Sequence, residues 1–241
     1  MDEKEKECVG IAKRLKENFY HFAQLNNVNS DLFTTINEEG QQFRDSWNNL
    51  HLDNYMGDGG KYRYRRYSVV KIREDKQLEY LPPEPHFQKK TYNGLNGDIY
   101  REYSPFEERI LRGALFRDII ISSASIFSQL KKPKNGWRVE CHQFRIVPSE
   151  NEAGFPTPEG KHRDGVDFVL VTLINRLNMD GGKTTIYDSN DKEIASRVMG
   201  NEWESVFIND IKTMHEVSPI YKRDFFEGSY RDTLVLTFQC F

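Results

Sequence analysis

His162-Arg163-Asp164 sets an imidazole and a carboxylate two positions apart, and His215 follows 51 residues after Asp164. In an extended segment residues i and i+2 point to the same side, so His162 and Asp164 can converge on one point. A third ligand must then arrive from a strand facing the first. Two imidazoles and one carboxylate cover one face of an octahedron and leave three adjacent positions open, the ligand set of non-haem Fe(II) oxygenase chemistry. Sixteen residues past His215, Arg231 heads a β-branched run, with a hydroxyl at Thr233. A guanidinium so placed can grip a carboxylate through paired N–H bonds. Thr233 faces the same side and can share that ligand.

H-x-D alone is weak, because short motifs recur by chance; His51-Leu52-Asp53 also fits it. Plainer roles exist for each residue as well. His162 could sit on the surface beside a loop, His215 could be a satisfied core residue, and Arg231 could pair with Asp232 or Glu227. Context favours the joint reading. The segment after Asp164 is a β run, His215 precedes Ser218-Pro219, and Arg231 opens the last strand-like stretch.

The elements that must position these groups change character along the chain. Residues 3–25 place Cys8, Ile11, Ala12, Leu15, Phe19 and Phe22 at three- and four-residue steps, which predicts an amphipathic helix. A second helix follows Asn29-Ser30-Asp31, with Ile36, Phe43, Trp47 and Leu50 on one stripe. Ser104-Pro105-Phe106-Glu107 has the order of a capping box, and predicts a helix or broken pair running to about Leu130. From Trp137 onward, strands are expected at 138–147, 167–174, 183–187, 203–208 and 233–239, the spacing of an all-β barrel or sandwich. Met179-Asp180-Gly181-Gly182 predicts a hairpin turn.

At His162, Asp164, His215 and Arg231 the chain resembles the 2-oxoglutarate/Fe(II) dioxygenase superfamily, and within it the bacterial family of L-isoleucine 4-hydroxylase-like free amino-acid hydroxylases. The resembling stretches are 64–71 (YRRYSVVK), 141–146 (CHQFRI), 161–164 (KHRD), Ile174-Asn175, Gly181-Gly182, 215–219 (HEVSP) and 230–233 (YRDT). The resemblance implies a mainly β, α+β chain: a double-stranded β-helix (jelly-roll, cupin-like) core with N-terminal helices. It implies that His162, Asp164 and His215 hold Fe(II), and that Arg231, assisted by Thr233, binds the distal carboxylate of 2-oxoglutarate. O2 is then a co-substrate and ascorbate a reductant. Substrate hydroxylation accompanies conversion of 2-oxoglutarate to succinate and CO2. Asp164 disfavours the related halogenases, which leave that ligand position free.

A free amino acid needs a cation for its carboxylate and an acceptor for its ammonium. Gln143 and Arg145 share one face of their strand with Cys141, and His142 and Phe144 share the other. If the first face lines the barrel, Arg145 is a carboxylate clamp and Gln143 its orienting partner; an ordinary solvent-facing Arg145 is an equal alternative. The run 61–67 (KYRYRRY) has the look of a nucleic-acid stacking surface, or of a strand near the substrate mouth. The loop 148–161, with three prolines, is a lid candidate or a plain surface loop.

Composition sets the outer bounds. The chain has 241 residues, 37% of them apolar, enough for one packed domain. The expected division is helices and supporting strands over 1–136 and a metal-bearing β core over 137–241. A net charge of −3 lacks the positive field that a nucleic-acid or anionic-membrane partner requires. No apolar run approaches the ~20 residues of a membrane span, and the charged N-terminus has no secretory h-region. Three cysteines without C-x-x-C spacing suit reduced thiols. A cytoplasmic protein acting on a small molecule is the expectation, with a peptide, protein or natural-product intermediate as substrate, or a non-enzymatic cupin-like binding module, as rivals. Oligomeric state stays open.

Overall fold

The computed structural model describes residues 3–224 and 228–241; Glu227 lies outside them. Four α-helices are described: α1 (Glu3–Asn18), α2 (Ser30–Asp45), α3 (Glu108–Leu111) and α4 (Ala114–Phe127). The N-terminal strands are β1 (Tyr20–Gln24), β2 (His51–Leu52), β3 (Arg63–Arg73), β4 (Leu78–Tyr80), β5 (His86–Phe87) and β6 (Tyr100–Arg101). The rest are β7 (Gly136–Ile146), β8 (Phe168–Leu177), β9 (Met179–Gly181), β10 (Lys183–Asp188), β11 (Glu193–Val198), β12 (Glu204–Asn209), β13 (Thr213–Val217), β14 (Ile220–Lys222) and β15 (Tyr230–Cys240).

The main sheet runs β1-β12-β8-β15-β7-β3-β2, with β4 paired to β3. A smaller sheet, β11-β10-β13, faces it, and β9-β14 bridges the flank. This is the jelly-roll expected. The main sheet crosses the division drawn at residue 136, because β3 pairs with β7 along its whole length.

Both faces of the main sheet are covered, for different reasons. Even-numbered Leu234, Leu236 and Phe238 of β15 and odd-numbered Trp137, Val139 and Cys141 of β7 join Phe43, Phe116 and Phe127 in the helical core. Alternation then turns the other residues of each strand toward the smaller sheet. Val169, Val171 and Leu173 pack there with Ile186, Val206 and Ile208. One part of the gap stays open as a cavity of about 430 Å³.

Three local expectations are corrected. The helix expected over 3–25 ends at Asn18, where Phe19 takes a left-handed φ of 68°. Residues 20–24 then pair with β12, because an open sheet edge outweighs the helical stripe. The Ser104 capping box does not form: Ser104 gives its carbonyl to the Tyr67 amide, and the Phe106 amide goes to Ser68 Oγ. Glu39 of α2 instead accepts from the amides of Ala114 and Leu115 at the start of α4. Met179–Gly182 is no hairpin between neighbours. It carries the chain from one sheet to the other, and β9 pairs with β14.

Candidate active site

His162 lies just before β8 and His215 lies within β13. One antiparallel bridge joins them: the His162 amide donates to the His215 carbonyl at 3.0 Å, and the reverse bond is 2.9 Å. Bridged residues share a face, so the ring centroids stand 4.5 Å apart. Asp164, two residues on, completes the group. Its carboxylate oxygens lie 3.8 Å from His162 Nε2 and 3.7 Å from His215 Nε2.

The donors have the right electronic state for a metal. His162 donates Nδ1–H to the Gly160 carbonyl at 2.9 Å, which leaves Nε2 as the free lone pair. Burial, with His162 adding to it, pushes His215 down to about 3, so it is neutral near pH 7. Its Nδ1 is buried without a partner among the described residues. Burial pushes the Asp164 and Asp210 carboxyls up. Two buried acids beside a neutral imidazole make a site that favours a cation. Cis ligands about 2.1 Å from one ion sit roughly 3.0 Å apart, so small inward shifts close this set. One His-Asp-His group therefore fits a divalent ion with open positions on its cavity side.

Asp210 was not singled out from the sequence. It is 1% exposed and accepts from the amides of Asp164 (3.0 Å), Gly165 (2.8 Å) and Val166 (3.1 Å). Those three bonds fix the turn that aims Asp164. Glu159 was also missed: its Oε1 stands 3.6 Å from His162 Nε2, and its Oε2 is buried without a partner among the described residues. Only packing identifies such residues, since neither belongs to a short motif.

Arg231 and Thr233 both line the cavity, as alternation along β15 requires. Arg231 is 4% exposed, and its Nη2 has no partner among the described residues. Burial, with Arg176 nearby, pushes it down to about 10, so it stays cationic at neutral pH. Its local rival Asp232 faces the other way and pairs with Arg145 at 2.7 Å. A buried guanidinium with a free N–H, beside a hydroxyl and within one cavity of the triad, suits a carboxylate ligand.

Gln143 and Arg145 do not line the cavity. Gln143 is fully buried on the helical side and donates to Ser46 Oγ at 2.8 Å. Arg145 stacks over Tyr230, 4.3 Å from its centroid, and bonds Asn48 as well as Asp232. The opposite face of β7, with Arg138, Glu140, His142 and Phe144, is the one turned inward. In the run 61–67, Tyr62, Arg63, Arg65 and Tyr67 are buried, so four of its seven cations and rings are turned away from solvent. The second H-x-D match is also resolved: Asp53 pairs with Arg63 at 2.7 Å, while His51 is exposed.

A family model described as 2OG-Fe dioxygenase matches residues 44–237. The chain belongs to the 2OG-Fe dioxygenase family. It is 30% identical over 207 residues to a 3(1)-hydroxy-L-isoleucine 4-dioxygenase of Pantoea ananatis, covering 84% of this chain and 81% of that protein. It is 23% identical to an L-isoleucine-4-hydroxylase of Bacillus thuringiensis, over 79% of this chain and 78% of that one. Among solved structures, a bsmA homolog from Methylobium petroleophilum superposes with a TM-score of 0.86 at 30% identity, covering 97% and 93% of the two chains. The protein is thus a dioxygenase that uses Fe(II), 2-oxoglutarate and O2. No helix among the described residues is long and apolar enough to cross a membrane.

Proposed function

We propose that this dioxygenase hydroxylates an unactivated aliphatic carbon of a free L-amino acid of the isoleucine type. The observation that carries the reading is the placement of His162, Asp164, His215 and Arg231 around one cavity between the two sheets. Both curated relatives named above bear isoleucine-derived substrates in their names, which supports the substrate class.

His162 Nε2, Asp164 and His215 Nε2 would hold ferrous iron. Arg231, with Thr233, would bind the distal carboxylate of 2-oxoglutarate. Bound iron with 2-oxoglutarate and O2 supplies the oxidising power that turns C–H into C–OH, as 2-oxoglutarate becomes succinate and CO2. The chain's own contribution is orientation and dryness. Asp210 holds the Asp164 turn, and the Gly160 carbonyl fixes the His162 tautomer. Val166, Val171, Val217 and Val235 line the same cavity and exclude water beside the reacting carbon. The segment between β5 and β6 closes over the triad, with Gln88 Nε2 donating to the Asp164 carbonyl at 3.4 Å. From the other side, loop 148–161 is pinned by a Gly154–Ile220 bridge and by Thr157 Oγ1 bonding Val217.

The test is succinate release by the iron-loaded enzyme with O2, ascorbate and a panel of free amino acids. Stimulation above the substrate-free rate by branched aliphatic members, with a product 16 Da heavier, is expected. Stimulation by none of the panel would remove the amino-acid reading and favour a peptide or natural-product substrate. No consumption of 2-oxoglutarate under any of these conditions would favour a binding module.

A further inference from the structure

A second polar cluster shares the cavity with the triad. His142 and Glu140 of β7 face inward, and Arg65 of β3 lies on the same face one register step away. The short β5–β6 pair sets His86 opposite Arg101. Ligand atoms of His86, Glu140 and His142 lie within 4.8 Å of one another, which at first suggests a second metal site. The surrounding charge argues otherwise. Arg65 donates to His142 Nδ1 at 2.6 Å, so that lone pair is already taken. Burial, with Arg65, Arg101 and Arg63 close by, pushes His86 and His142 well down, so both are neutral. A divalent ion here would meet several guanidinium groups.

The cluster lacks an anion instead. Asp53 answers Arg63 at 2.7 Å and Arg65 at 3.6 Å. Glu84 and Glu140 answer Arg138. Arg101 is 1% exposed; its side chain makes no hydrogen bond or ion pair among the described residues, and its Nε and Nη2 are buried. Arg65 Nε is also buried without a partner among the described residues. Buried donors left without acceptors are costly, and a cavity-lining set of them is a place where a ligand can supply the acceptor. Glu140, 3.5 Å from His86 Nε2, is an acid within the same cluster. From His142 the cross-strand row continues through Val235 to Val171, an apolar floor.

We propose that Arg65 and Arg101 bind the α-carboxylate of the substrate and Glu140 its α-ammonium, with the aliphatic side chain laid over Val235 and Val171. This subsite rests on the amino-acid reading above, and sets what that reading requires: a free, zwitterionic amino acid. Esters, amides and residues within a peptide lack the free carboxylate that the two guanidinium groups take.

The probes are L-isoleucine, L-isoleucinamide and 3-methylpentanoate, which lacks the ammonium. Succinate release by the holoenzyme gives KM values, and anaerobic calorimetry gives binding. Wild type should prefer isoleucine over its amide by at least tenfold. Arg101→Gln should raise the isoleucine KM roughly 10–100-fold, the loss of one charged hydrogen-bond set, and erase the acid-over-amide preference. The 2-oxoglutarate KM should move less than threefold, which also reports an intact fold. Glu140→Gln should weaken isoleucine more than 3-methylpentanoate. Equal use of acid and amide by wild type overturns the subsite, and so does an unchanged isoleucine KM in Arg101→Gln. A second tightly held metal ion per chain, removed by His142→Ala, would reassign the cluster to metal. If no amino acid stimulates turnover, the functional reading falls and this subsite with it; stimulation with Arg101→Gln indifferent sinks the subsite alone.

Discussion

His162 and His215 meet because two backbone hydrogen bonds lock their register, so their rings need only ordinary rotamers to face one ion. Asp164 depends on more, since Asp210 alone holds three consecutive amides of the turn that carries it. Asp164→Ala should abolish substrate-dependent succinate formation through loss of iron, read as metal content after dialysis; full iron retention would contradict its role as ligand. Arg231→Ala should leave iron content near wild type and raise the 2-oxoglutarate KM roughly 10–100-fold, as loss of a charged paired contact does. Asp210→Asn presents an N–H group toward amides that are themselves donors. Iron affinity should fall roughly 10–100-fold, the range for residues that orient metal ligands, and a metal titration checks it. The triad and Arg231 were legible because their chemistry demands fixed types in fixed order. Asp210 and Glu159 were not, because buried acids join the site only through the fold.

At the level of elements, the cavity depends on strands that leave one sheet and enter the other. The crossing after β8 uses Gly181 and Gly182, both at positive φ (83° and 73°). A Cβ on Gly181 would stand 2.1 Å from the Pro219 carbonyl oxygen, against backbone that cannot swing aside. Gly181→Ala should therefore part β9 from β14 and cost about 1–3 kcal/mol or more. A lower Tm together with a raised 2-oxoglutarate KM is expected, because the next residue, Gly182, lies beside Arg231, whose Cδ is 3.5 Å from where a Gly182 Cβ would stand. An unchanged Tm would show that the crossing tolerates a side chain. These glycines were visible as a turn signal, but a turn signal does not say which strands it joins. Likewise Ser104-Pro105 looked like a helix start, and its groups are taken by β3 instead.

For the molecule as a whole, β3 ties the N-terminal half to the β core, and Asp53 secures its first turn of chain. Asp53 is 2% exposed and lies between Arg63 and Arg65. Burial alone would raise its carboxyl, but the two guanidinium groups and the Tyr55 amide hold it below the ordinary value of 3.8. Because the folded state then binds that proton more weakly than the unfolded chain, the stabilisation is full above about pH 4 and is lost as pH falls through the lowered value. Asp53→Asn should lower stability at pH 7 by about 3–5 kcal/mol, the cost of leaving buried cations unanswered. Its acid slope below about pH 4 should be shallower than that of wild type. Thermal melts at pH 7 and pH 3 check both signs. Sequence alone pointed to the candidate ligand types, their order, and a β-rich core behind helices, because metal coordination and strand periodicity are local constraints. Which face of β7 lines the cavity was decided only in three dimensions. Helices cover one face and the second sheet covers the other, so both alternating sets are buried, and Gln143 cannot be told from His142 until the layers are stacked.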